Sequence, residues 1–230
     1  MKIAIHQPNF FPWSGYFYKI YLSDTFIFLD DVQYSKNSFT NRVNIISDKK
    51  STWLTVPVKS KLGTKINDIK IADSLWKKKH LSKLVNAYKS SDFFYEVYAK
   101  ICDLFEEISF MKLAEVNQFI ILRIANWLKL EKNFHKSSEL EINKSFKGDD
   151  RLIEIIKYFN CEIYYSGIGA KKYQDIEKFA NSGIELKYLN YREKQYSQMS
   201  TKFIGGTSIL DLLFNLGIKK TIEYCKCKHD

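Results

Sequence analysis

A strand that empties into a loop of reactive side chains, followed by a helix and a second strand, opens this chain. That pattern restricts the fold more than any other stretch. Lys2 to Ile5 form a short apolar strand. His6 to Trp13 follow as a polar and aromatic loop, and Ser14 to Leu22 read as a helix. Thr25 to Leu29 give a second strand, which runs into Asp30-Asp31-Val32-Gln33-Tyr34-Ser35-Lys36-Asn37. Parallel neighbours need a crossover of about a dozen residues or more, and the helix supplies one. If the strands are parallel, both loops open at one sheet edge, where open α/β sheets bind ligands.

The same pattern returns near the other end. Arg151 to Phe159 read as a helix with an Asp of the Gly148-Asp149-Asp150 stretch at its cap, and Glu162 to Tyr165 as a strand. Ser166-Gly167-Ile168-Gly169-Ala170-Lys171-Lys172-Tyr173 follow, then a helix over Gln174 to Ala180 and a strand over Ile184 to Leu189. Between the two units, Val43 to Val58 read as a hairpin turning at Asp48-Lys49-Lys50. Lys59 to Lys65 are a basic loop, and Ile66 to Ile71 a short strand. From Ser74 to about Leu130 the periodicity is helical, with Ser91-Asp92 capping the second of three helices. Leu140 to Ile142 are expected to be a short strand in a polar linker. Thr207 or Ser208 caps a helix over Ile209 to Leu216, and Gly217 ends it. The expected fold is α/β, a Rossmann-like, mainly parallel sheet with a helical insertion around residues 74–130, all in one domain over residues 1–230.

At 230 residues and 45% hydrophobic content, the chain can bury a full core, which excludes a disordered protein. The net charge of +10 suits a polyanionic partner such as tRNA, a nucleotide-linked substrate or an anionic membrane face. General Lys enrichment accounts for it equally well. Cys102 and Cys161 lie in apolar stretches and read as core residues. Cys225-Lys-Cys227-Lys-His229 lacks a second ligand pair at zinc spacing, so a frayed terminus and no metal site are expected. No apolar run reaches the ~18 residues of a membrane helix. With no signal-like opening, a cytoplasmic protein without a transmembrane segment is expected.

His6, at the end of the first strand, can bind a phosphate or act as acid or base near neutrality; a buried His anchoring the loop is the plainer alternative. Gln7 and Asn9 offer amide donors, and Trp13 a stacking face or a packing surface. Asp30 and Asp31 can hold Mg²⁺ or a sugar hydroxyl, or serve as base. Side chains alternate along a strand, so one of the two is expected to face a site. Lys36, Asn37 and Arg42 form a cationic and polar cluster, in which an Arg fork suits phosphate or carboxylate. The turn from Ser166 and Gly167 to Lys171 and Tyr173 can cradle an anion, or be a tight turn. It is neither a Walker loop nor a full G-x-G-x-x-G. Asp211 near a helix start is a further candidate, or simply favours the helix dipole.

The stretch IHQPNFFPWSGYFYKI…SDTFIFLDDVQYSKNSFTNR resembles the opening of the WbqC-like family. WLTVPV (53–58), DDRLIEIIKYF with YYSGIGAKKY (149–173), and TSILDLLFNLG (207–217) extend the likeness, in order, over nearly the whole chain. At Ile168-Gly169 the chain departs from the family pattern. The resemblance implies a bacterial protein of O-antigen or other surface-polysaccharide gene clusters, with a transferase role proposed for the family. Positions matching the family pattern are His6, Gln7, Pro8, Trp13, Gly15, Tyr16, Asp30, Asp31, Tyr34, Asn37, Arg42, Ser166, Gly167, Lys171, Tyr173 and Asp211. More distantly, the opening is similar to the HIGH-type nucleotidylyltransferases. The second His of that motif would fall near Gly15-Tyr16, and Tyr stands there.

Three functions follow as expectations. One is an enzyme that transfers an aminoacyl (glycyl) or acyl group to a nucleotide-linked amino-sugar, with aminoacyl-tRNA as a candidate donor. His6 would then be base, Asp30 or Asp31 would orient the sugar, and Arg42 and Lys171 would hold phosphates. The second is an ATP- and Mg²⁺-dependent adenylyl or nucleotidyl transferase. The third is a non-catalytic binding subunit. No DNA partner is expected, and the oligomeric state is left open.

Overall fold

The computed structural model describes residues 1–227, so His229 lies outside the described residues. β1 (Lys2–His6) leads to α1 (Ser14–Leu22) and β2 (Thr25–Phe28). A hairpin of β3 (Arg42–Ser47) and β4 (Lys50–Thr55) precedes a small ribbon of β5 (Val58–Lys59) and β6 (Lys70–Ile71). The helices α2 (Trp76–Tyr88), α3 (Phe94–Glu107) and α4 (Leu113–Trp127) then lead to β7 (Asn133–Lys136). The chain continues through α5 (Gly148–Tyr158), β8 (Ile163–Gly167), α6 (Ile176–Asn181), β9 (Glu185–Leu189) and α7 (Ile209–Lys226).

Five strands form a parallel sheet in the order β7-β2-β1-β8-β9. Numbered along the chain, that is the doubly wound order, and its direction reverses between β1 and β8. Ala4, Phe26 and Phe28 face one core, shared with α2, α3, α4 and α7. Ile3, Ile5 and Ile27 face the other, under α5 and α6. Alternation on strands covered on both faces explains why β1 and β2 read as unbroken apolar runs. The helical insertion joins the first core through Tyr88, whose ring stacks on Phe214 of α7 at 4.5 Å. No helix of the described residues is long and apolar enough to cross a membrane.

Several local expectations are corrected. Of Ile66 to Ile71 only Lys70–Ile71 is strand, after a 3-10 turn at Ile66–Asp68, and α5 starts at Gly148 with Lys147, not an Asp, as its N-cap. The linker strand is Asn133–Lys136, not Leu140 to Ile142. As an edge strand it needs one apolar contact, and Phe134 makes it, stacked on Phe28 at 5.8 Å. Ser91-Asp92 does not cap α3; Phe93 is its N-cap, and Ser91 Oγ donates to the Tyr88 carbonyl. α6 begins at Ile176 rather than Gln174, because Asp175 accepts from the amides of Glu177 and Lys178. Of the stretch from Cys225 to His229, the described part is helical rather than frayed: the helix breaks at Gly217 (φ 71°) and resumes to Lys226, with Cys225 fully buried. Only glycine suits that break, since a Cβ there would sit 2.6 Å from the Phe93 ring.

Candidate functional site

The loop from His6 to Trp13 crosses the carboxyl end of β1 and is pinned from three sides. The Pro8 carbonyl accepts from Asn117 Nδ2 of α4 at 2.9 Å. The Phe11 and Pro12 carbonyls accept from Ser208 Oγ at 2.8 Å and the Ile209 amide at 3.0 Å, at the head of α7. The Phe10 amide donates to the Phe39 carbonyl at 3.0 Å. Phe10 and Phe11 are fully buried beneath the loop.

Two cavities meet at His6 and Trp13. One, of about 360 Å³, is largely apolar and is lined also by Asn9, Pro12, Phe39 and Gly206. The other, of about 170 Å³, lies at the switch point between β1 and β8, lined also by Lys19, Gly167, Gly169 and Tyr191. Open doubly wound sheets bind ligands at that crevice. Trp13 lines both. Its ring packs on Gly15, where a Cβ would sit 2.5 Å from it, and edge-on to Tyr191 at 5.4 Å. Gly15→Ala is therefore expected to displace Trp13 and weaken any ligand that spans both cavities by about tenfold, with little loss of stability. Calorimetric binding alongside thermal melting checks this.

His6 Nδ1 lies 3.0 Å from the Gln7 carbonyl, which only accepts, so Nδ1 carries the proton and Nε2 is left as acceptor. Burial first, then the nearby Lys19 charge, hold its pKa down to about 3. The imidazole is neutral throughout the physiological range. Tyr16 packs edge-on to it at 4.8 Å and donates to the same carbonyl at 3.0 Å.

Lys19 is the residue that sequence reasoning missed. It is 6% exposed, lines the switch-point crevice, and has no carboxylate within ion-pair distance among the described residues. A Cβ on Gly167 would lie 3.9 Å from its Nζ, which fixes the ammonium under the turn that follows β8. Burial lowers its pKa to about 8, so it is mainly a cation at pH 7. The available signal was a lone charge in the helix SGYFYKIYL, one turn beyond Gly15 and Tyr16.

The other sequence candidates are distributed as follows. Asn9 and Gly167 line a cavity. Gln7 serves through its carbonyl. Asp30 is buried and accepts from Ser137, Ser138 and Gln118. Asp31 pairs with Arg151 at 2.6 Å. Tyr34 is buried in the core, and Ser166 Oγ donates to Gln174 Oε1 at 2.9 Å. Arg42 lies over the Trp53 ring, 4.0 Å from its centre. Lys36, Asn37, Lys171 and Tyr173 are exposed and line neither cavity. Asp211 is fully buried and accepts from Tyr88, Tyr196 and Gln198, which ties residues 196–198 to α7. Glu193 extends that tie, accepting from Ser14 Oγ at 2.9 Å and from the Gly206 amide.

The pattern of the WbqC-like protein family matches residues 7–223. A protein of Mycobacterium tuberculosis (strain H37Rv), described as Uncharacterized protein Rv1507c, is similar at 30% identity, covering 98% of this chain and 99% of that protein. No solved structure matches.

Proposed function

The chain belongs to the WbqC-like protein family, and from that membership we propose a cytoplasmic group transferase of bacterial surface-polysaccharide (O-antigen) synthesis. It moves an aminoacyl (glycyl) or acyl group onto the amine of a nucleotide-linked amino-sugar. The observation that carries this reading is Lys19, a buried cation in the switch-point crevice with no acid partner among the described residues. Such a cation is costly until an anion joins it, and the diphosphate of a nucleotide-linked sugar is that anion. The larger apolar cavity, which shares His6 and Trp13 with this crevice, takes the acyl donor. His6 stands at the junction, where donor and acceptor meet.

In this scheme the sugar amine donates a hydrogen bond to His6 Nε2 and attacks the acyl carbon. A C–N bond forms, and the C–O bond of an activated ester breaks. The proton leaves the nitrogen through Nε2 for the departing oxygen. His6 is a weak base, so it accepts that proton only once attack has made the nitrogen acidic. An aminoacyl-tRNA is a donor of the right chemistry, and the +10 charge favours such a polyanion. Two-histidine adenylyl transfer is less well supported: the second position is Tyr16, whose hydroxyl is engaged with the Gln7 carbonyl.

Thermal shift with UDP- and dTDP-linked amino-sugars tests the reading. A ligand at about 100 times its Kd adds about 2.7 kcal/mol of stability. Stabilisation by a nucleotide-linked amino-sugar, reduced in His6→Ala, is expected. An amide product detected by mass spectrometry on adding aminoacyl-tRNA completes the case. Stabilisation by ATP–Mg²⁺ alone, lost in His6→Ala, would overturn it in favour of adenylation. Indifference to every nucleotide-linked sugar would overturn it in favour of a binding subunit.

A further inference from the structure

We propose that a third cavity, between the end of β2 and the start of α5, binds a nucleoside polyphosphate. It encloses about 500 Å³, within the range of small-molecule sites, and shares no lining residue with either cavity at His6. Lys65, Lys144 and Lys147 line it, and so do Asp31 and Arg151. The last two form an ion pair of 2.6 Å with both side chains 8% exposed. Arg151 therefore neutralises the one carboxylate on the lining, and the three lysines leave the walls with surplus positive charge. The guanidinium also donates to the Asn143 carbonyl at 3.3 Å, which fixes the base of the cavity. Lys144 Nζ donates to the Ser138 carbonyl at 2.7 Å and has two further hydrogens to offer.

The lining is otherwise mostly apolar, with Leu29, Val32, Phe146 and Leu152. Three cations and an aromatic ring on one lining suit a ligand that carries both several charges and a flat ring. Single carboxylates would leave most of the lysine charge unmatched. A chain of phosphates matches it, and a nucleobase fits the apolar part. This site does not depend on the transfer chemistry proposed for His6.

Isothermal titration of the full chain with ATP, inorganic tripolyphosphate and adenosine, at low salt, tests the proposal. ATP is expected to bind, and Lys65→Glu with Lys147→Glu to weaken it by about tenfold or more. Both lysines are exposed, so the double variant is expected to keep the wild-type melting temperature. Lys171→Ala, exposed and lining none of the three cavities, is expected to leave ATP affinity within about twofold. Phe146→Ala should weaken ATP and not tripolyphosphate. Absence of ATP binding, or full affinity in the double lysine variant, overturns the site. Tripolyphosphate binding as tightly as ATP overturns the nucleoside assignment.

Discussion

Replacing Lys19 by Met is expected to stabilise the free protein while weakening the proposed binding of a nucleotide-linked sugar by about a hundredfold. Burial lowers the Lys19 pKa from its ordinary 10.5 to about 8. One pKa unit corresponds to about 1.4 kcal/mol, so holding the cation in the fold costs about 3 kcal/mol at neutral pH. The unfolded chain keeps this proton up to pH 10.5 and the folded chain only to about 8. Between those values the unfolded state holds more protons, so wild-type stability rises with pH across that window. Below pH 8 the whole cost is present. Met keeps the stem and removes the charge, so Lys19→Met should be more stable at pH 7 and show a flatter rise toward pH 10.

The same change removes the anion's counter-charge, and binding of a diphosphate ligand should fall by about a hundredfold. It also removes one of the two causes that hold the His6 pKa near 3, so the imidazole should titrate at higher pH in the variant. Urea melts across pH, calorimetric binding and NMR titration of His6 read these effects separately. A variant that is less stable, or binds as tightly as wild type, would remove Lys19 from the site. Stability lost to function at one buried lysine is the pattern of a binding residue rather than a packing one.

Whether a residue's role was readable depended on how far along the chain its partners lie. β1, α1, β2 and the hairpin β3–β4 are set by local patterns, and so is the β8–α6–β9 unit. The parallel pairing of β1 with β2 then followed from the helix between them. Edge strand β7 carried no such pattern, because Phe134 is its one core-facing contact and Asn133 and His135 are exposed. Lys19 looked ordinary because its meaning comes from the turn at Gly167, brought alongside by the pairing of β1 with β8. Asp30 and Asp31 looked reactive by residue type alone. Their partners Ser137 and Arg151 stand 107 and 120 positions further on. Arg42, read as a phosphate fork, has its face on Trp53 across the hairpin.

Asp30→Ala is expected to cost the fold about 4 kcal/mol, and any loss of activity should follow from that. The carboxylate is 2% exposed at the end of β2. Its Oδ1 accepts from Ser137 Oγ at 3.2 Å and the Ser138 amide at 3.0 Å. Its Oδ2 accepts from Ser138 Oγ at 2.8 Å and Gln118 Nε2 at 3.3 Å. One side chain thus joins β2, the turn after β7 and α4. Alanine would leave several buried donors without an acceptor, at about 1–3 kcal/mol for each that cannot turn to another partner. Asparagine keeps one carbonyl acceptor, and the serine hydroxyls can rotate to accept from its amide, so Asp30→Asn should cost about half as much. His6→Ala removes a half-buried ring from the wall of two cavities and should change stability far less than ligand binding. Equilibrium urea unfolding of the three variants, paired with ligand titration, separates a knot in the fold from a contact with substrate. A stable Asp30→Ala protein that no longer binds or turns over the amino-sugar would move Asp30 back among the reacting groups. A destabilised one that binds normally at low temperature assigns the carboxylate to the sheet edge, and leaves His6 and Lys19 as the groups that meet the ligand.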